Sequence, residues 1–220
     1  LTHLQKPSMG NDWLPADDIS EALATRGFII LPDIIPEPIR EELLATVKIT
    51  QPTLRPAAIG RGEDEHQNQF VRRDRIAWLD PATSALNGWF AGLECLREGL
   101  NKRLFLGLWD FECHLAHYKA GAFYKRHVDA FRGRSNRRVS LVAYLNSGWS
   151  PEQGGELVLY TQPGLDDQGT VRVTPLMGTL VLFLSEDIPH EVLPVTRDRF
   201  SVAGWFRVND TTGQRLNPAT

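Results

Sequence analysis

Up to about residue 104 the apolar positions of the chain recur three and four residues apart, whereas beyond it they fall in short runs broken by glycine, proline and asparagine. The stretch "ADDISEALATRGFIIL" has an acidic start, an amphipathic pattern and a glycine stop, and predicts a helix followed by the strand "GFIIL". "IPEPIREELLATVKI" predicts a second helix, with prolines at its entry, acids early and Lys48 late, as the helix dipole favours. Asp80 and Pro81 read as the N-cap and first turn of a third helix carrying Leu86, Trp89, Phe90, Leu93, Leu96 and Leu100 at helical spacing. Between the last two helices lies a polar, glycine-containing segment that resolves into "RIAWL". The remainder predicts strands at "FECHLAHY", "FYKRHVD", "RRVSLVAYLN", "GGELVLY", "TVRVTP", "GTLVLFL", "HEVLPV" and "RFSVAGWFRV". Such spacing indicates a β-sandwich or jelly-roll barrel, giving an α+β, mainly β fold with helices packed outside a β core. One domain over residues 1–220 is expected, with helical support and a mobile loop at about 15–103 and the β core at about 104–208.

The 220 residues, 42% hydrophobic and 23% charged, suffice for a full core. A net charge of -3 offers no global positive field for a nucleic-acid backbone, so nucleic acid is not an expected partner. No apolar run approaches the roughly 18 residues of a membrane span, and the first residues lack the apolar core of a signal peptide. A cytoplasmic protein without membrane association is therefore expected. Cys95 and Cys113, both in apolar contexts, read as buried reduced thiols rather than a disulfide or zinc site.

The candidate chemistry begins at "YKRHVDAF". In a strand His127 and Asp129 project to one face, as two ligands to one ion would. His190, after a buried apolar strand and a proline-containing turn, supplies a third candidate. Two imidazoles and a carboxylate on one side of a metal leave open positions opposite, the arrangement of non-haem Fe(II) oxygenases. If the strand after His190 turns back as a hairpin, Arg199 comes alongside, its guanidinium able to grip a carboxylate with two hydrogen bonds. His114 and His117 form an HxxH, but in a strand they face opposite sides, which disfavours a second metal site. Arg132, Arg134, Arg137 and Arg138 form a basic cluster beside the site, either a solvated turn or a substrate contact.

The set His127-x-Asp129, "YLNSGW", "GGELVLY", "PHEV" and "RFSVAGWF" resembles the prolyl hydroxylase branch of the Fe(II)- and 2-oxoglutarate-dependent dioxygenases, in particular bacterial relatives of the hypoxia-inducible-factor prolyl hydroxylases. The likeness extends over about residues 17–208 and implies a double-stranded β-helix (jelly-roll) core. It implies that His127, Asp129 and His190 bind Fe(II), and that Arg199, helped by Tyr144, pairs with the distal carboxylate of 2-oxoglutarate. Tyr118 would stand near the chelating end of that cosubstrate, with Leu157, Val192 and Trp205 walling the pocket. Arg72 and Asp74 would hold a closed loop or the substrate chain, with Arg137 as a further substrate contact. Two segments, Tyr118 to His127 and Trp149 to the glycine pair, each read one residue shorter than in the animal enzymes, and Ala203 stands where a hydroxyl side chain is expected.

The resemblance implies hydroxylation of a prolyl residue in a protein, with O2 as second cosubstrate, succinate and CO2 as co-products, and ascorbate as a candidate reductant. Translation-machinery proteins are candidate targets. The polar loop at 59–75, hinged at Gly60 and Gly62, suits a peptide more than a free amino acid, whose hydroxylation on the same iron centre is the alternative. A non-catalytic jelly-roll binding module is the reading from outside enzymology, and it has no need of all four of His127, Asp129, His190 and Arg199.

Overall fold

The computed structural model describes residues 10–57, 70–130, 135–162 and 169–209. Their strands form two antiparallel sheets. The larger has the order β1-β9-β6-β11-β4-β3-β2, built from Phe28–Leu31, Leu180–Leu184, Arg137–Tyr144, Arg199–Val208, Leu108–Tyr118, Arg75–Trp78 and the two-residue Arg55–Pro56. The smaller has the order β5-β10-β7-β8, from Tyr124–His127, His190–Val192, Leu157–Tyr160 and Thr170–Val173.

Side-chain alternation divides the large sheet into two apolar faces. Val139, Leu141, Ala143, Leu180, Leu182, Val202 and Phe206 point outward and are covered by helices. Ala116, Tyr118, Tyr144, Val181 and Phe183 point inward and pack against Leu157, Leu159, Val173 and Val192 of the small sheet. This is the predicted jelly roll with helical support, and each of the eight predicted strands after residue 104 is present.

The helices are α1 (Ala16–Arg26), α2 (Glu37–Thr50) and α3 (Asn87–Leu104). On α3 the residues Trp89, Leu93, Leu96 and Leu100 are each no more than 1% exposed, each burial contributing about 1.5–3 kcal/mol. The helix starts later than the sequence suggests. Asp80 caps a turn through Ala82 N–H, and α3 begins at Asn87 with its Gly88 and Trp89 amides held by the Glu42 carboxylate of α2. A cap from another helix leaves no local signature. Cys113 is buried, but Cys95 is exposed on the solvent side of α3, contrary to its apolar neighbourhood in sequence.

A second difference bears on the site. Residues 190–199 do not form a hairpin, because β10 belongs to the small sheet and β11 to the large one. The connection is laced to neighbouring loops by Gly155 N–H to Pro194 C=O, Val195 N–H to Ala122 C=O and Gly121 N–H to Val195 C=O. His190 and Arg199 therefore approach the same interior from opposite sheets.

Candidate metal and cosubstrate site

His127, Asp129 and His190 converge, with one ligand atom of each within 4.8 Å of the others. His127 ends β5 and His190 begins β10, and the two are direct partners across that ladder. Asp129 lies just past the strand, in a bend, and not within it as alternation alone suggested. Its position is fixed by Ser140 Oγ, which donates to Oδ2 at 2.6 Å, while Ala130 N–H bonds Ser185 C=O. His127 Nδ1 meets Lys125 C=O at 2.8 Å and His190 Nδ1 meets Ile188 C=O at 3.1 Å. Each carbonyl selects the tautomer that protonates Nδ1 and leaves the Nε2 lone pair facing Asp129, at 3.7 and 3.6 Å. Tyr124 stacks on His127 and Phe183 abuts His190, so both rings are held by packing.

Burial and the neighbouring His127 push the His190 pKa down to about 4, which keeps the imidazole a neutral donor. Burial alone would raise the Asp129 carboxyl. His190, His127 and Arg137 reverse this and hold it well below the usual carboxylate range. Two imidazoles and one carboxylate, with their other atoms engaged by protein, could hold a divalent transition metal on one side only.

Arg199 begins β11 opposite Tyr118, and Ser201, next on the same face, is opposite Tyr144. Its side chain is 1% exposed, and its guanidinium carbon lies 4.9 Å from the Tyr118 ring and 5.1 Å from the Tyr144 ring. Gly155, with φ +71°, lets the arginine stem pass, since a Cβ there would come within 3.1 Å of Arg199 Cδ. Among the described residues this guanidinium makes a 3.3 Å contact to Ser201 Oγ and interacts with the Tyr144 side chain. Arg199 Nε and Tyr144 Oη have no partner in good hydrogen-bond geometry. Burial pushes the Tyr144 pKa up to about 12, so its hydroxyl is a donor. A buried cation and a buried hydroxyl aimed together without an acceptor fit a carboxylate ligand, such as the distal end of 2-oxoglutarate. Leu157 and Val192 are ladder partners and pack with Tyr118 and Tyr144 around this corner.

Trp205 stands apart from that apolar corner. It lies farther along β11, opposite Ser140 and so towards the metal-binding end, under the Arg137 guanidinium at 3.4 Å. Arg137 also donates to Glu112 Oε1 through Nε and Nη2, at 3.0 and 2.7 Å. Arg72 and Asp74 are engaged with each other, Nε to Oδ1 at 2.5 Å and Nη2 to Oδ2 at 2.8 Å, and the Arg72 guanidinium covers the Tyr124 ring that stacks on His127. The pair thus links the chain leaving the polar loop to an iron-ligand candidate. Gly60, Gly62, Arg132 and Arg134 lie outside the described residues. Arg138 pairs with Glu186. Ser140 was missed by sequence reasoning, although its period-two relation to Tyr144 in "RRVSLVAYLN" places both on one face.

Residues 113–207 match the 2OG-Fe(II) oxygenase superfamily. A prolyl-4-hydroxylase structure from Pseudomonas putida is 39% identical with a TM-score of 0.78, covering 88% of this chain and 99% of that one. A prolyl hydroxylase from Trichoplax adhaerens, solved with a hypoxia inducible factor oxygen degradation domain peptide fragment, is 26% identical with a TM-score of 0.76 and 90% coverage of both chains. The hypoxia-inducible factor prolyl hydroxylase of Caenorhabditis elegans is 33% identical over 66% of this chain, and the match spans 21% of the worm protein.

Proposed function

The chain belongs to the 2OG-Fe(II) oxygenase superfamily, in its prolyl hydroxylase branch, and on that premise we propose that it hydroxylates a prolyl residue of a protein or peptide substrate. The observation that carries the reading is one interior holding both halves of the machinery. The His127, Asp129 and His190 cluster lies between the two sheets with Arg199 and Tyr144, whose buried Nε and Oη lack an acceptor or donor in good geometry.

His127, Asp129 and His190 would hold Fe(II), with Ser140 orienting the carboxylate and the Lys125 and Ile188 carbonyls orienting the imidazoles. Arg199 and Tyr144 would anchor the distal carboxylate of 2-oxoglutarate, and Leu157, Val192 and Tyr118 would exclude water from it. Bound iron with 2-oxoglutarate and O2 supplies an oxidant that inserts one oxygen atom into a C–H bond while 2-oxoglutarate becomes succinate and CO2. Arg72, Asp74 and Arg137 would contact the bound peptide. Ascorbate would serve as the reductant that restores oxidised iron.

No described helix is long and apolar enough to cross a membrane. We place the activity in the cytoplasm and take translation-machinery proteins as the first targets to search. The test is mass spectrometry of proteins from cells with and without the gene, seeking a gain of about 16 Da, one oxygen atom, on proline. Protein hydroxyproline that depends on the gene is the expected result. Its absence, with hydroxylated free amino acids accumulating instead, would return the small-molecule reading.

A further inference from the structure

Among the described residues eight buried side-chain atoms lack a hydrogen-bond partner, and four of these belong to His114, Tyr144, Arg199 and Trp205. All four residues lie on the inner face of the large sheet, as the ladder pairs Arg199 with Tyr118, Ser201 with Tyr144, Ala203 with His114 and Trp205 with Ser140. Buried polar groups are nearly always satisfied, so such a concentration calls for a ligand. The carboxylate of 2-oxoglutarate accounts for Arg199 and Tyr144. It does not account for His114.

His114 is four residues from Tyr118 along β4, about 13 Å at the strand rise. A five-carbon diacid gripped at Arg199, opposite Tyr118, spans four bonds of about 1.5 Å and falls short of it. The imidazole is 2% exposed and lies between two tryptophans, with ring centroids 5.3 Å from Trp78 and 5.5 Å from Trp205. Its partner on β11, Ala203, offers no polar atom, and within the protein the ring reaches the Leu115 backbone, with Nδ1 outside good hydrogen-bond geometry. Trp78 itself is 56% exposed, whereas His114 and Trp205 are buried behind it. Burial first, then Arg72 and Arg137, push the His114 pKa down to about 3 against the opposing pull of Asp74. The ring is thus a neutral imidazole with one donor and one acceptor. The charges that reach it, Arg72, Asp74 and Arg137, are the three residues expected at the substrate.

Resting on the prolyl-peptide reading above, we propose that His114 is a specificity-determining residue that hydrogen-bonds the backbone of the bound peptide beside its target residue, with Trp78 and Trp205 as apolar walls. An extended peptide presents both amide donors and carbonyl acceptors, which a neutral imidazole can meet with either nitrogen. Tryptophan faces suit a pyrrolidine ring and its flanking side chains.

The experiment uses wild type and His114→Phe, loaded with zinc(II) in place of iron and with 2-oxoglutarate, so that no turnover occurs. An array of synthetic proline-containing peptides is screened on the wild type, and the tightest binder is titrated by tryptophan fluorescence. His114→Phe keeps an aromatic ring in the cluster and removes the hydrogen bond, so the peptide Kd should rise about fivefold while 2-oxoglutarate affinity stays the same. His114→Asn, which retains a donor and an acceptor, should recover part of the loss. In the wild type, nitrogen-15 NMR of the His114 imidazole should shift when the peptide is added, a readout independent of whether any variant folds. An unshifted imidazole, a wild-type peptide Kd in His114→Phe, or a parallel loss of peptide and 2-oxoglutarate affinity would each overturn the assignment. A wild-type protein that binds none of the peptides would instead overturn the peptide reading itself, a result distinct from any variant effect.

Discussion

Arg199 carries a prediction whose magnitude follows from its surroundings. The side chain is 1% exposed, and no carboxylate pairs with it among the described residues. A 2-oxoglutarate carboxylate would accept two charge-assisted hydrogen bonds from the guanidinium, each contributing about 1.5–3 kcal/mol. Arg199→Lys keeps the charge and loses one prong, so the KM for 2-oxoglutarate should rise about 10- to 150-fold. Tyr144→Phe removes one neutral donor and should raise it about fivefold. Iron affinity should persist in both, because neither side chain touches His127, Asp129 or His190 in the hydrogen-bond network. Arg199→Met adds a test of opposite sign. Replacing a buried ion by an apolar side chain of similar size is often neutral or stabilising, so the ligand-free variant should melt at or above the wild-type temperature. Addition of 2-oxoglutarate should then raise the melting temperature of the wild type alone. Steady-state succinate release and thermal melts with and without 2-oxoglutarate measure all of this. Unchanged 2-oxoglutarate dependence in Arg199→Lys and Tyr144→Phe together would refute the anchor.

Three further outcomes are expected. Ser140→Ala frees Asp129 Oδ2 and should weaken iron affinity about 10-fold with the fold intact, measured by metal titration under nitrogen. His114, ordinarily near 6.5 and held at about 3 in the folded chain, takes up its proton only on unfolding as pH falls between those values, so its contribution to stability is present above 6.5 and lost towards 3. Urea unfolding across that window should show a shallower loss for His114→Phe than for wild type, by up to about 1.4 kcal/mol per pH unit, and equal slopes would contradict a buried neutral ring. Asp74→Ala leaves Arg72 buried without its carboxylate and should destabilise by about 3–5 kcal/mol, whereas replacing both by apolar residues should recover most of that, as chemical denaturation would show.

The strands were legible because they depend on local pattern, and the metal candidates because separate motifs together resemble a known family. Period-two runs such as "RRVSLVAYLN" and "RFSVAGWFRV" are buried on both faces or one, and the side-chain direction follows directly. Relations between distant segments were not legible. The hairpin expected after His190 fails because Pro194 and Val195 are bonded to Gly155, Gly121 and Ala122, contacts no local window contains. The start of α3 was misplaced for the same reason, since Glu42 lies 46 residues from the amide it caps. His114 was discounted as half of an HxxH pair. Its neighbours Trp78 and Trp205 come from two other strands, and only their register brings them to it.

The central claim is that this interior oxidises a prolyl C–H bond at the expense of 2-oxoglutarate, and labelled oxygen tests it most directly. Purified protein with Fe(II), 2-oxoglutarate, ascorbate, oxygen-18 gas and the tightest-binding proline peptide should give one labelled hydroxyl on proline for each succinate formed. Asp129→Ala, which removes the sole anionic ligand candidate of the cluster, should give neither product. Labelled hydroxyproline formed by Asp129→Ala, or succinate released by the wild type with the peptide left unmodified, would contradict the account.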